Sequence, residues 1–170
     1  MDKNIVPKIS VAIPIYNMKN ADFFLRRLMQ SLEMQTFRDF EIVITKEGTM
    51  PENTNAAIRR SKGEIIKLLY MDDYLAQSNT LQNIADNFKG GWLASGCLHD
   101  RGDGKLGAPH QPQYNQKIHL GFNTIGSPSV VAIENNNPHF FDEKLSWLLD
   151  CDYYKTLYER HGEPTIINEL

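Results

Sequence analysis

The sequence predicts an α/β fold, a three-layer α/β/α sandwich around a mostly parallel central sheet. Three observations predict it. Between Lys8 and Phe88, short Val- and Ile-rich runs alternate with segments whose apolar residues recur at three- and four-residue steps, the strand–helix alternation that builds parallel sheets with right-handed crossovers. The stretch Ile65–Leu75, I-I-K-L-L-Y-M-D-D-Y-L, is an apolar run ending in two adjacent carboxylates, as a strand buried on both faces does at its exposed end. At 170 residues, 41% of them hydrophobic, the chain can bury a real core and is most simply one domain.

The elements follow in order. Lys8–Ile15, K-I-S-V-A-I-P-I, alternates and reads as the first strand, with Pro14 at its C-terminal end. Tyr16 and Asn17 follow in a loop. A helix begins at Asn20, capped by Asn20 or Asp22, with Phe24, Leu25, Leu28, Met29 and Leu32 as its buried stripe. Phe40–Thr45 is the second strand, and Lys46–Met50 a turn around Gly48. Asn53–Ser61 reads as a short helix closed by Gly63. The strand from Ile65 comes next, then a helix over Ser78–Phe88. Trp92–His99 is a further strand. Asp100–Lys117 is polar and aperiodic, a length of loop that is usually functional or disordered. Ser129–Glu134 is a strand, and Leu145–Arg160 a helix with Leu148, Leu149, Tyr153 and Leu157 inward. Thr165–Ile167 is a short edge strand. Residues 1–90 form one half and 91–170 the other.

Several function classes are disfavoured. A formal net charge of -3, with no Lys/Arg block, predicts no strong attraction to nucleic acid. No apolar run is long enough to span a bilayer, and M-D-K-N-I-V-P-K lacks a signal-peptide core. Cys97 and Cys151 are isolated, so free thiols in a cytoplasmic setting are expected. His99, His110, His119, His139 and His161 are scattered without zinc-ligand spacing. D-R-G-D-G, with Asp100 and Asp103 around Arg101, reads as a solvated turn.

The topology brings Tyr16-Asn17, Lys46-Glu47-Gly48 and Asp72-Asp73 to one sheet edge, where open α/β sheets bind ligands. Adjacent carboxylates there form a hard oxygen site suited to Mg²⁺ or Mn²⁺ carrying a phosphate. The plainer alternative is that Asp72 and Asp73 only end the strand and cap the next helix.

Three ordered segments resemble glycosyltransferase family 2, nucleotide-sugar-dependent enzymes of GT-A fold. V-A-I-P-I-Y-N with S-L-E-M-Q-T-F-R-D-F-E-I-V-I resembles the opening strand, helix and strand. K-G-E-I-I-K-L-L-Y-M-D-D-Y-L resembles the strand ending in the D-x-D metal site, and G-S-P-S-V-V-A with F-F-D-E-K-L-S-W-L-L-D-C-D-Y-Y the acceptor-side strand and the helix bearing the catalytic base. The likeness spans nearly the whole chain. It implies a UDP-sugar donor, a glycan or glycoconjugate acceptor, a Mn²⁺ or Mg²⁺ cofactor on Asp73 and Asp72, and inversion at the anomeric carbon. It further implies that Pro14, Tyr16, Glu47 and Asp72 cradle the nucleotide. Asp150 would be the base, with Asp152 second, and Ser127, Trp147 and Asp152 would line the acceptor side. Core packing is the more ordinary use of Trp147; a helix-start acid is the ordinary reading of Asp150.

Two departures matter. Lys46 stands where the family has an acid that meets the base, and Tyr70 where the first metal-motif acid would sit. They motivate the alternative of a degenerate GT-A domain that binds nucleotide or glycan without turnover. The sequence given ends soon after the late helix, so a compact version without a C-terminal extension is expected.

Overall fold

The computed structural model describes residues 6–102 and 105–168; Asp103 and residues 1–5 of the N-terminal segment lie outside them. The elements are β1 (Ile9–Pro14), α1 (Ala21–Glu33), β2 (Phe40–Thr45), α2 (Met50–Arg60), β3 (Ile65–Leu68), α3 (Thr80–Asn87), β4 (Trp92–Ser95), β5 (Val131–Glu134), α4 (Leu149–His161) and β6 (Thr165–Ile167). The strands form one sheet in the order β2-β1-β3-β5-β4-β6. β2, β1 and β3 pair in parallel, as do β4 and β6; β5 is antiparallel to both β3 and β4. Five strands therefore point one way and β5 alone is reversed, which makes the sheet mixed but mostly parallel.

Strand periodicity divides the core into two layers. Ile9, Val11 and Ile13 of β1 face one side, with Ile65, Leu93 and Ala132, and meet Leu28 and Leu32 of α1 and Leu81 and Ile84 of α3. Ala12, Ile66, Leu68, Trp92, Val131 and Ile133 face the other, against Ala57 and Ile58 of α2 and Tyr153, Tyr154 and Leu157 of α4. Helices thus cover both faces, as right-handed crossovers leading outward from β1 to β2 and back to β3 require. Each buried Leu or Ile contributes roughly 1.5–3 kcal/mol, and truncation to Ala would cost about 2–5 kcal/mol.

Several expected boundaries move for local reasons. α2 begins at Met50 rather than Asn53, because Thr49 and Glu52 form a capping box and Pro51 sits in the first turn. The Thr49 N–H and hydroxyl both donate to the Glu52 carboxylate, at 2.7 and 2.8 Å. Gly63 is not a left-handed helix cap: α2 ends at Arg60 with Ser61 as its cap, and a Cβ on Gly63 would lie 2.6 Å from the Ser10 backbone N. The glycine is needed for close approach. Asn20 caps α1 through its backbone, in the left-handed region (φ 63), with no side-chain cap. α3 is shorter than expected, and β4 stops at Ser95 rather than His99. Residues 128–130 form a 3-10 turn before β5. α4 starts at Leu149 because Leu148 is left-handed (φ 56), which turns Leu148 outward instead of into the core.

The long loop after β4 is tied down. Cys97 and His110 exchange backbone hydrogen bonds of 3.1 and 2.8 Å, and the Tyr114 ring stacks on Tyr158 of α4 at 3.9 Å.

Candidate active site

The carboxyl ends of β1, β2 and β3 lie at one rim of the sheet. Asn53, buried in the first turn of α2, ties the first two loops together. Its Nδ2 donates to the Ile15 carbonyl (2.8 Å) and its Oδ1 accepts the Glu47 N–H (3.0 Å). The first and third loops meet through Tyr16, whose hydroxyl donates to Asp72 Oδ1 at 3.1 Å. Burial, then the neighbouring Asp72 charge, pushes the Tyr16 phenol well above its ordinary value, so it stays a donor.

Asp72 and Asp73 are half-buried, and they do not cap α3, whose cap is Asn79. The helix-cap part of the plainer alternative does not hold. Asp73 Oδ2 accepts the Ser127 hydroxyl at 3.2 Å. Ser127 closes a turn that begins at Asn123, and Asn123 Nδ2 donates to Asp150 Oδ2 at 2.5 Å. Asp150, in the first turn of α4, thus joins the rim with the tandem aspartates. Tyr70 lies among all three: burial raises its phenol to about 12 against the Thr54 hydrogen bond, and the charges of Asp150, Asp72 and Asp73 add to the rise. Its hydroxyl is 3.2 Å from Thr54 Oγ1, and the ring is 7% exposed. The residue at the place of the first motif acid therefore packs into the α2 side of the rim.

A cleft of about 800 Å³ opens beside the aspartates, between α1 and the loop after β4. Asp72, Asp73 and Ser127 line it with Phe23, Arg27 and Lys67. Arg27 spans the cleft: its guanidinium donates to the Asp72 carbonyl (2.9 Å), pairs with Asp100 (2.6 Å), and lies 4.3 Å from the Tyr74 ring centroid. The Gly102 N–H, then Arg27, holds the Asp100 carboxyl below its usual value. Lys67, 1% exposed on β3, donates to the Ser129 carbonyl. Burial lowers its ammonium to about 7, against the opposing pull of Asp73 and Cys97.

The remaining expected residues are placed as follows. Pro14 is buried at the end of β1, below the loop that carries Tyr16. Glu47 is exposed and its carboxylate pairs with Arg60 on α2, away from the cleft lining. Asp152 lies on the same helix as Asp150 but close to His139 and Lys155. Trp147 is 79% exposed, which overturns core packing: the left-handed Leu148 turns the segment outward before α4 begins. Cys97 and Cys151 are free thiols.

Sequence reasoning missed Arg27, Lys67 and Asn123. Lys67 carried a signal, being the one charge inside an apolar run; Arg27 and Asn123 carried none. Among the described residues no group of three or more His, Cys, Asp and Glu side chains converges, and no helix is long and apolar enough to cross a membrane. A metal here would thus rest on two carboxylates. That set fits Mg²⁺ or Mn²⁺, which typically bind through one or two carboxylates plus waters and substrate phosphates. Each aspartate engages one oxygen with a hydroxyl and offers the other.

No protein-family model matches the sequence, and no curated protein does. Solved structures do match. S. aureus TarS 1-349 in complex with UDP superposes with a TM-score of 0.73 at 18% identity, over 96% of this chain and 58% of that one. TarS 1-349 in complex with UDP-GlcNAc gives 0.73 at 18% identity, over 96% and 56%. A further S. aureus TarS structure gives 0.71 at 17% identity, over 96% and 35%. The present chain therefore has the α/β fold of these glycosyltransferase structures and spans little more than half of the shorter TarS chain.

Proposed function

We propose that this chain is a nucleotide-sugar-dependent glycosyltransferase domain of family 2 type, inverting and metal-dependent, which moves a sugar from a UDP-sugar to a glycan or glycoconjugate acceptor. The observation that carries the reading is the meeting of Asp72, Asp73 and Asp150 at one rim of a fold also found in TarS complexes with UDP and UDP-GlcNAc.

In this reading Asp72 and the Tyr16 hydroxyl face the ribose side of the nucleotide. Asp73, with Asp72, would hold Mn²⁺ or Mg²⁺, which when bound supplies Lewis-acid stabilisation of the departing diphosphate. Asp150 takes the proton of an acceptor hydroxyl as its oxygen bonds to the anomeric carbon. The bond from that carbon to the diphosphate breaks, and its electron pair leaves with UDP. Attack from the face opposite the leaving group inverts the centre. Trp147, exposed beside the start of α4, offers a ring face to an acceptor sugar.

The test is a panel of UDP-, GDP-, dTDP- and CMP-sugars with Mn²⁺, read as nucleotide release. A UDP-sugar is expected to turn over, and Asp150→Asn to cut kcat by about 10²- to 10⁴-fold while donor binding persists. A second reading, a nucleotide- or glycan-binding domain without turnover, is favoured by Tyr70, which brings no charge to the rim. Donor binding with no release from any sugar in the panel decides for that second reading.

A further inference from the structure

The turn from Asn123 to Ser127 bridges the two halves of the rim, yet only Ser127 has a role so far. Asn123 is half-buried, and both ends of its amide are engaged. Oδ1 accepts the N–H groups of Ile125 and Gly126, each at 3.0 Å. Nδ2 donates to the Gly126 carbonyl (2.9 Å) and to Asp150 Oδ2 (2.5 Å). The same Gly126 carbonyl accepts the hydroxyl of Tyr154, a fully buried core residue, at 3.0 Å. Gly126 adopts φ 120, which side-chain-bearing residues rarely take. The amide that meets Asp150 is thus immobilised by the turn and anchored to the core.

Asp150 is held from two sides. Its Oδ1 accepts the N–H of Cys151 on its own helix at 2.9 Å, and its Oδ2 takes Asn123. Two donors on different elements fix the plane of the carboxylate. A helix-start acid serving only the macrodipole needs the first contact and gains nothing from the second.

We propose that Asn123 is a positioning residue that sets the orientation of Asp150 for proton abstraction from the acceptor. The inference rests on the transferase reading above.

The discriminating variant is Asn123→Asp. It keeps an oxygen for the Ile125 and Gly126 N–H groups, so the turn retains those bonds, but replaces the amide that donates to Asp150 and to the Gly126 carbonyl with a second carboxylate. With the panel sugars and Mn²⁺, Asn123→Asp is expected to lower kcat about 10- to 100-fold, the cost of a misplaced reacting group, with donor KM and calorimetric UDP affinity unchanged. Asn123→Ala should show the same kcat loss. Wild-type kcat in Asn123→Asp overturns the inference and leaves the transferase reading standing. A parallel fall of kcat and UDP affinity also overturns it, because the turn is then structural. Absence of turnover in the wild-type protein removes the transferase reading and this role together.

Discussion

Lys67 shows how one residue ties stability to the site. Burial holds its ammonium at about 7, whereas an unfolded-chain lysine titrates near about 10.4. Between these values the unfolded state binds more protons. The contribution of Lys67 to stability therefore rises with pH across that window, by up to about 1.4 kcal/mol per pH unit. Below pH 7 both states are protonated and the full burial penalty stands. Lys67→Met removes the titration. Denaturation from pH 6 to pH 10 is expected to favour the variant most at the acid end, with the difference from wild type shrinking toward pH 10. A difference that stays constant across that range contradicts the account. Asp150 belongs to the same scale: its identity as the base is tested by Asp150→Asn, and its orientation by the amide that faces it.

At the scale of elements, the fixed points are close approaches and caps. Gly63 lets the chain between α2 and β3 pass against β1, where the Ser10 hydroxyl accepts the Gly63 and Lys62 N–H groups at 2.8 and 3.1 Å. Gly63→Ala is expected to destabilise the protein by about 1–3 kcal/mol, measured by urea denaturation, since backbone rather than a flexible side chain opposes the new methyl. Stability equal to wild type would show that β1 can shift to admit it. Much at this scale was legible. The strand Phe40–Thr45 and the edge strand Thr165–Ile167 match their expected limits, because alternating β-favouring residues end there in turn signals. The first turn of α2 was also signalled, by Thr49, Pro51 and Glu52, although the expected helix started only at Asn53. The start of α4 was not legible: nothing in S-W-L-L-D announces that Leu148 adopts a left-handed conformation.

At the scale of the molecule, topology does what local pattern cannot. Asp73 and Asp150 are far apart in sequence, and the Asn123–Ser127 turn links them because β5 begins at the rim where β3 ends and α4 starts at that same rim. The meeting of the three opening loops was readable from strand–helix alternation, since parallel strands share their carboxyl edge. The cleft wall was not readable. It depends on a guanidinium reaching from α1 to Asp72 and Asp100, a long-range contact with no local signature. Glu47, legible as a loop acid, pairs with Arg60 on α2, a partner its local sequence does not announce. The proposed function requires the tandem aspartates to hold a nucleoside diphosphate through a cation. Calorimetric titration of UDP into wild-type protein and Asp73→Ala, with and without Mn²⁺, tests it most directly. The account predicts binding that needs both Mn²⁺ and Asp73; UDP binding of equal strength in Asp73→Ala, or none in the wild-type protein, contradicts it.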